Sequence, residues 1–198
     1  MELPAETGIM VLPELVFFPH NLAPLHIFET RYRKMVEEAL LSHRMFALHQ
    51  KRSARGTAQP SRTGCLGLIR ACVRSPDGTF NLILQGLCRV HFDGFTRTRP
   101  YFAGQPRLVP SAQDSPDSRP LVDDILSHLK KNHNPRLQIS AELHDFLSQL
   151  DDYNALVDIV AGSLVRDSRH RQTLLESEST LERLQNLACY LRQEQNQD

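Results

Sequence analysis

Residues 11–40 read VLPELVFFPHNLAPLHIFETRYRKMVEEAL, and the thirteen positions from Phe17 to Glu29, FFPHNLAPLHIFE, decide how the rest is taken. They hold two prolines, two histidines and six large apolar side chains. Either His20 and His26 begin a metal or catalytic site, or the stretch is a seam where a strand gives way to a helix. The flanks favour a seam. Upstream, IMVLPELVFF (9–18) has strand composition broken by Pro13, which suits an edge strand or a bulge. Downstream, Phe28, Tyr32, Met35, Val36, Ala39 and Leu40 recur at helical spacing with Arg31, Arg33, Lys34, Glu37 and Glu38 opposite, so 28–42 is expected to be an amphipathic helix. Pro24 fixes its own φ and disfavours helix at Ala23. The two histidines have no third ligand in sequence reach, and neither a metal nor another cofactor is expected.

Outward from the seam, MFALHQ (45–50) reads as a strand and KRSARGTAQPSRTG (51–64) as a polar loop. Ser75-Pro76-Asp77-Gly78-Thr79 reads as a three-residue hairpin turn closed by a bulge, with Gly78 at positive φ. In the following strand Phe80, Leu82 and Leu84 face one way and Asn81, Ile83 and Gln85 the other. Gly86 marks a bulge, after which Cys88, Val90 and Phe92 resume a buried face. Many short strands with bulges predict a small curled sheet or barrel.

SAQDSPDSRP (111–120) reads as a linker, and everything beyond it as helix. Leu121, Ile125, Leu126 and Leu129 form one apolar stripe; Leu143, Phe146, Leu147 and Leu150 a second; Leu156, Ile159, Val160, Ser163 and Leu164 a third. Ser179 and Glu182 have capping-box spacing before a stripe of Leu181, Leu184, Ala188 and Leu191. The expected organisation is a mainly-β unit over 1–110, a linker over 111–120 and a helical bundle over 121–198, an α+β chain.

Composition narrows the function. At 198 residues, with 23% charged and 40% apolar, this is an ordinary globular chain with a self-sufficient core. Its four cysteines lack CxxC pairing, and no signal-peptide or membrane-spanning run occurs, so a cytoplasmic protein with reduced thiols is expected. Net charge is +0, yet residues 1–110 hold 14 Lys/Arg against 8 Asp/Glu and the remainder 9 against 15. GxSxG, GxxxxGK[ST] and HExxH are all missing. Gly162-Ser163 falls inside a helical stripe, and Arg89 beside Cys88 is a weak reason to expect a reactive thiol. The chain is not expected to be an enzyme.

The order Leu12-Pro13, Phe18-Pro19, Pro24-Leu25, Ile27-Phe28-Glu29, Arg31-Tyr32-Arg33 resembles the opening of the Lon protease N-terminal domain. PDGTFNLILQGLCRVHF (76–92), LVDIVAGSL (156–164) and LLESESTLERLQNL (174–187) are similar to later parts of that domain, so the likeness covers nearly the whole chain. It implies a PUA-like β unit with one amphipathic helix, followed by a helical bundle. It also implies a stand-alone, non-catalytic module for recognising unfolded or extended polypeptide, working with a separate protease or chaperone. Phe17, Phe18, Leu22 and Pro24 are expected at the peptide-binding surface. The alternative is an RNA-binding PUA-like protein that contacts phosphates through Lys51, Arg52, Arg55 and Arg62.

Overall fold

The structure, a computed structural model, describes residues 2–54, 57–110, 118–131 and 137–195. The chain divides into two compact units, Met1–Val109 and Pro110–Asp198.

The first unit is built on β1 (Thr7–Leu12), β2 (Leu22–Ile27), α1 (Thr30–Leu40), β3 (Met45–Ala54), β4 (Thr57–Pro60), β5 (Thr63–Arg74), β6 (Phe80–His91), β7 (Phe102–Gly104) and β8 (Arg107–Leu108). Strand order is β2-β6-β5-β3-β1-β7, with β4 on β3 and β8 on β6. β1 and β3 are parallel, and α1 lies on the connection between them. Just two residues separate β7 from β8, yet β7 pairs with β1 and β8 with β6. That short segment ties the β1 end of the sheet back to β6 and closes the curl into a barrel-like ring.

Adjacent residues on a strand face opposite ways, and both faces are used. Met10, Phe46, Leu48, Cys65 and Ile69 join Tyr32, Met35, Val36 and Ala39 of α1 in the larger apolar cluster. Their neighbours Ile9, Ala47 and Leu66, with Val90, form a smaller cluster on the other face. Tyr32 also spans the seam, its hydroxyl accepting from Val11 N and donating to Val11 O, both at 3.1 Å.

The seam differs from the sequence reading in detail. Residues 22–27 are a full strand, antiparallel to β6, with Pro24 opposite Ile83. A proline is accommodated because β2 ends the sheet, so the missing N–H can fall on the unpaired side. The helix begins at Thr30, two residues later than expected. The expected loop at 51–64 is largely strand, β3 and β4 pairing from Lys51 with Pro60 to Ala54 with Thr57. Both the turn and the bulge match their reading: Gly78 has φ +80 and its N–H donates to Ser75 O at 2.9 Å. Leu66 pairs with Cys88 and Gly67 with Gly86, leaving Leu87 as the extra residue.

The second unit contains α2 (Ser118–Lys131), α3 (Ala141–Ser148), α4 (Tyr153–Leu164), α5 (Ser168–Glu176) and α6 (Thr180–Gln195). Residues 118–120, assigned to the linker from sequence, open α2; residues 111–117 lie outside the described residues. α6 packs on α2, α4 and α5, burying Leu184, Leu187, Ala188 and Leu191. The helix starts are capped as their sequences suggest, with Asp152 accepting from Asn154 N and Ala155 N, Asp167 from Arg169 N, and Ser179 Oγ from Glu182 N. Two residues depart from the expected stripes: Phe146 is 52% exposed and Ser163 is exposed. At the centre Arg183 is fully buried, paired with Asp158 and donating to Asn154 Oδ1 at 2.8 Å and Leu174 O at 3.0 Å. Nothing in the apolar periodicity marked this polar knot.

Candidate functional site

β2, β6 and β5 send alternate residues to a face that no helix of the unit covers. Pairing fixes who shares it. Leu22, Gln85 and Leu68 form one cross-strand row; Pro24, Ile83 and Ala71 the next; His26, Asn81 and Val73 the third. Their neighbours Ala23, Leu84 and Ile69 point into the larger core. Leu22 and Val73 are 64% and 66% exposed. Pro24 and Ala71 are exposed, and Ile83 and Leu68 half-buried. The middle of this face is a shallow groove of about 400 Å³ lined by Pro24, Leu25, His26, Ala71, Cys72, Val73, Asn81, Leu82 and Ile83. Phe28, also 64% exposed, continues it past His26, whose ring stacks on it at 6.1 Å.

The bulge between Ile69 and Ala71 makes the face possible. One extra residue, Arg70, reverses the alternation of β5, so that Ala71 and Val73 join Leu68 outside while Cys72 turns towards the core. Without it, Ala71 and Val73 would point inward.

The polar groups beside the groove suit binding better than reaction. His26 Nδ1 is 2.9 Å from Asn81 Oδ1. Burial raises the Cys72 thiol above its ordinary pKa, which disfavours the thiolate. Cys88, named from sequence for its neighbour Arg89, is pushed up to about 11 by burial, the reverse of activation. Among the described residues no group of three or more His, Cys, Asp or Glu is placed to hold a metal ion.

Of the residues expected to bind peptide, Leu22 and Pro24 lie on this face. Phe17 and Phe18 do not: they are 4% and 0% exposed, because the chain between β1 and β2 turns both rings inward. Phe17 belongs to the larger core cluster. Ile83, Ala71 and Val73, which line the groove, were not named from sequence. The available signal was an isoleucine on the polar side of β6, alternating with Asn81 and Gln85. Of the basic residues, Lys51 and Arg52 are exposed on β3 and Arg62 on the β4–β5 connection, while Arg55 lies outside the described residues. A second cavity of about 220 Å³, between Val11–Pro13, Tyr32, Tyr101 and Phe102, has Lys51 at its edge. No described helix is long and apolar enough to cross a membrane.

The sequence model described as the ATP-dependent protease La (LON) substrate-binding domain matches residues 6–193. A Lon protease of Dictyoglomus thermophilum is 25% identical over 197 residues, covering 98% of this chain and 25% of that protein. Lon protease 2 of Herpetosiphon aurantiacus is 27% identical over 194 residues, covering 96% and 24%. The chain thus spans about a quarter of the length of these curated relatives. The N-terminal domain of a Mycobacterium avium complex Lon protease superposes with TM-score 0.74 at 17% identity, covering 94% of this chain and 98% of that one. A Lon N-terminal domain protein from Xanthomonas campestris gives 0.67 at 18%, with the same coverage. These structures establish the shared fold.

Proposed function

From the premise that the chain belongs to the family of Lon substrate-binding domains, we propose that it recognises extended or unfolded polypeptide through the outward face of β2, β6 and β5. The observation that carries this reading is the run of exposed apolar side chains on paired strands, Leu22 and Pro24 beside Ile83, Ala71 and Val73. Monomeric proteins rarely leave such patches uncovered unless something binds them. A shallow groove between strands accepts a peptide's alternate side chains with little demand on their identity, as substrate recognition requires. Docking on the face is favoured over adding a strand at the β2 edge, since Pro24 removes a donor there. The function is binding; the chemistry of any substrate's fate lies with a partner protease or chaperone.

Leu22 and Val73 are exposed, so changing them should leave the fold intact. Fluorescence titration with a fluorescein-labelled, permanently unfolded casein-like chain is expected to show binding to the wild type. The pair Leu22→Asp with Val73→Asp should weaken it by about tenfold or more, because one buried leucine contributes roughly 1.5–3 kcal/mol. Unchanged affinity in the double variant would place the binding surface elsewhere.

A further inference from the structure

We propose that Arg70 makes this face selective for segments that carry a carboxylate next to their apolar residues. This rests on the polypeptide-binding reading above and names the ligand class within it.

Arg70 is the extra residue of the β5 bulge, so it has no cross-strand partner, and it is exposed immediately before Ala71 of the groove. The other arginines at this corner are engaged. Arg74 pairs with Glu37 at 3.2 Å and lies over the Phe80 ring. Arg33 donates to Asp77 O, and Arg44 donates twice to Ile69 O. Arg70 makes no ion pair or side-chain hydrogen bond with a described residue. A guanidinium with no partner among the described residues, one position before the groove residue Ala71, is suited to a bidentate contact with a carboxylate. The surrounding field agrees, since the first 110 residues carry six more basic than acidic side chains. Asp77, the acid of the adjacent turn, is held by Thr79 N and Oγ1 at the tip of the hairpin. The occupant this chemistry selects is an acidic, apolar stretch of extended chain.

The test uses three synthetic fluorescein-labelled peptides sharing one apolar run and differing at a single flanking position, Glu, Gln or Lys. They are titrated against the full chain, Arg70→Gln and Arg70→Glu at low salt. Wild type should bind in the order Glu, Gln, Lys, with about three- to fivefold between Glu and Gln, the range of an exposed charge pair. Arg70→Gln should flatten the order, Arg70→Glu should reverse it, and about 0.5 M salt should compress it without abolishing binding. An order that survives both substitutions, or binding with no order at all, overturns the assignment to Arg70 while leaving the polypeptide-binding reading standing. Failure of all three peptides to bind wild type defeats both. So does concentration-dependent self-association in sedimentation that Leu22→Asp abolishes, since a second copy would then occupy the face.

Discussion

At the scale of single residues, His49 is a packed structural histidine. It sits on β3, 1% exposed, with Nδ1 2.9 Å from Ser61 O and its ring tilted against Phe92 at 5.4 Å. Gly64 leaves room for it, since a Cβ there would fall 2.4 Å from the imidazole. Nε2 is buried with no partner among the described residues, and burial, only partly offset by the bond to Ser61 O, lowers the pKa from 6.5 to about 4. Between these values the unfolded chain binds the proton and the folded one does not. Stability is therefore complete above about pH 6.5 and falls as pH drops towards 4. Denaturant titrations of the wild type should lose about 2 kcal/mol between pH 7 and pH 5. His49→Gln should flatten that slope, whatever its stability at pH 7. The depressed carboxylates Glu38, Asp77 and Asp167 act at lower pH and leave this window to histidine. An unaltered slope in His49→Gln would assign the loss to another group. A packed or surface role for His49 could be read from its strand position; the fully buried Arg183 could not, because its partners Asp158 and Asn154 come from α4, far away in sequence.

At the scale of elements, bulges explain both what sequence revealed and what it hid. Gly86 announced a bulge by interrupting a clean alternation. Its physical cause is the chain between β1 and β2: Gly86 N donates to Asn21 O at 2.9 Å and Gly86 O accepts from His20 N at 3.1 Å. A Cβ at Gly86 would lie 2.1 Å from Phe18 O and 2.9 Å from Phe18 C, atoms of backbone that cannot rotate aside. Gly86→Ala should therefore cost about 1–3 kcal/mol in denaturant unfolding. Gly94→Ala, where a Cβ meets nothing within 4 Å, serves as a near-neutral control. Equal stability of the two variants would show that this close approach is not maintained in solution. The bulge at Arg70 gave no such signal, because no glycine marks it and its effect depends on pairing with β6. The same limit hid β2: LAPLHI carries a proline that reads as a break, and only the position at the sheet's end makes it a strand. The β3–β4 hairpin was hidden for the converse reason, its composition being that of a loop.

At the scale of the molecule, the chain divides into two compact units, Met1–Val109 and Pro110–Asp198, and the ordered motifs from Leu12 to Arg33 pointed to the family now shown over residues 6–193. Of the residues named from sequence, Leu22 and Pro24 lie on the proposed face, whereas Phe17 and Phe18, equally apolar in sequence, are core. Composition cannot separate an apolar residue that faces a helix from one that faces nothing; strand pairing does. Both apolar clusters of the first unit are made from its own residues, as is the proposed face. The decisive measurement is therefore the affinity of residues 1–110, expressed alone, for the same unfolded chain used with the whole protein. A fragment that unfolds cooperatively and binds within about twofold of the full chain is the predicted result. A fragment that folds yet binds more than about tenfold more weakly would contradict the assignment of recognition to the face of β2, β6 and β5.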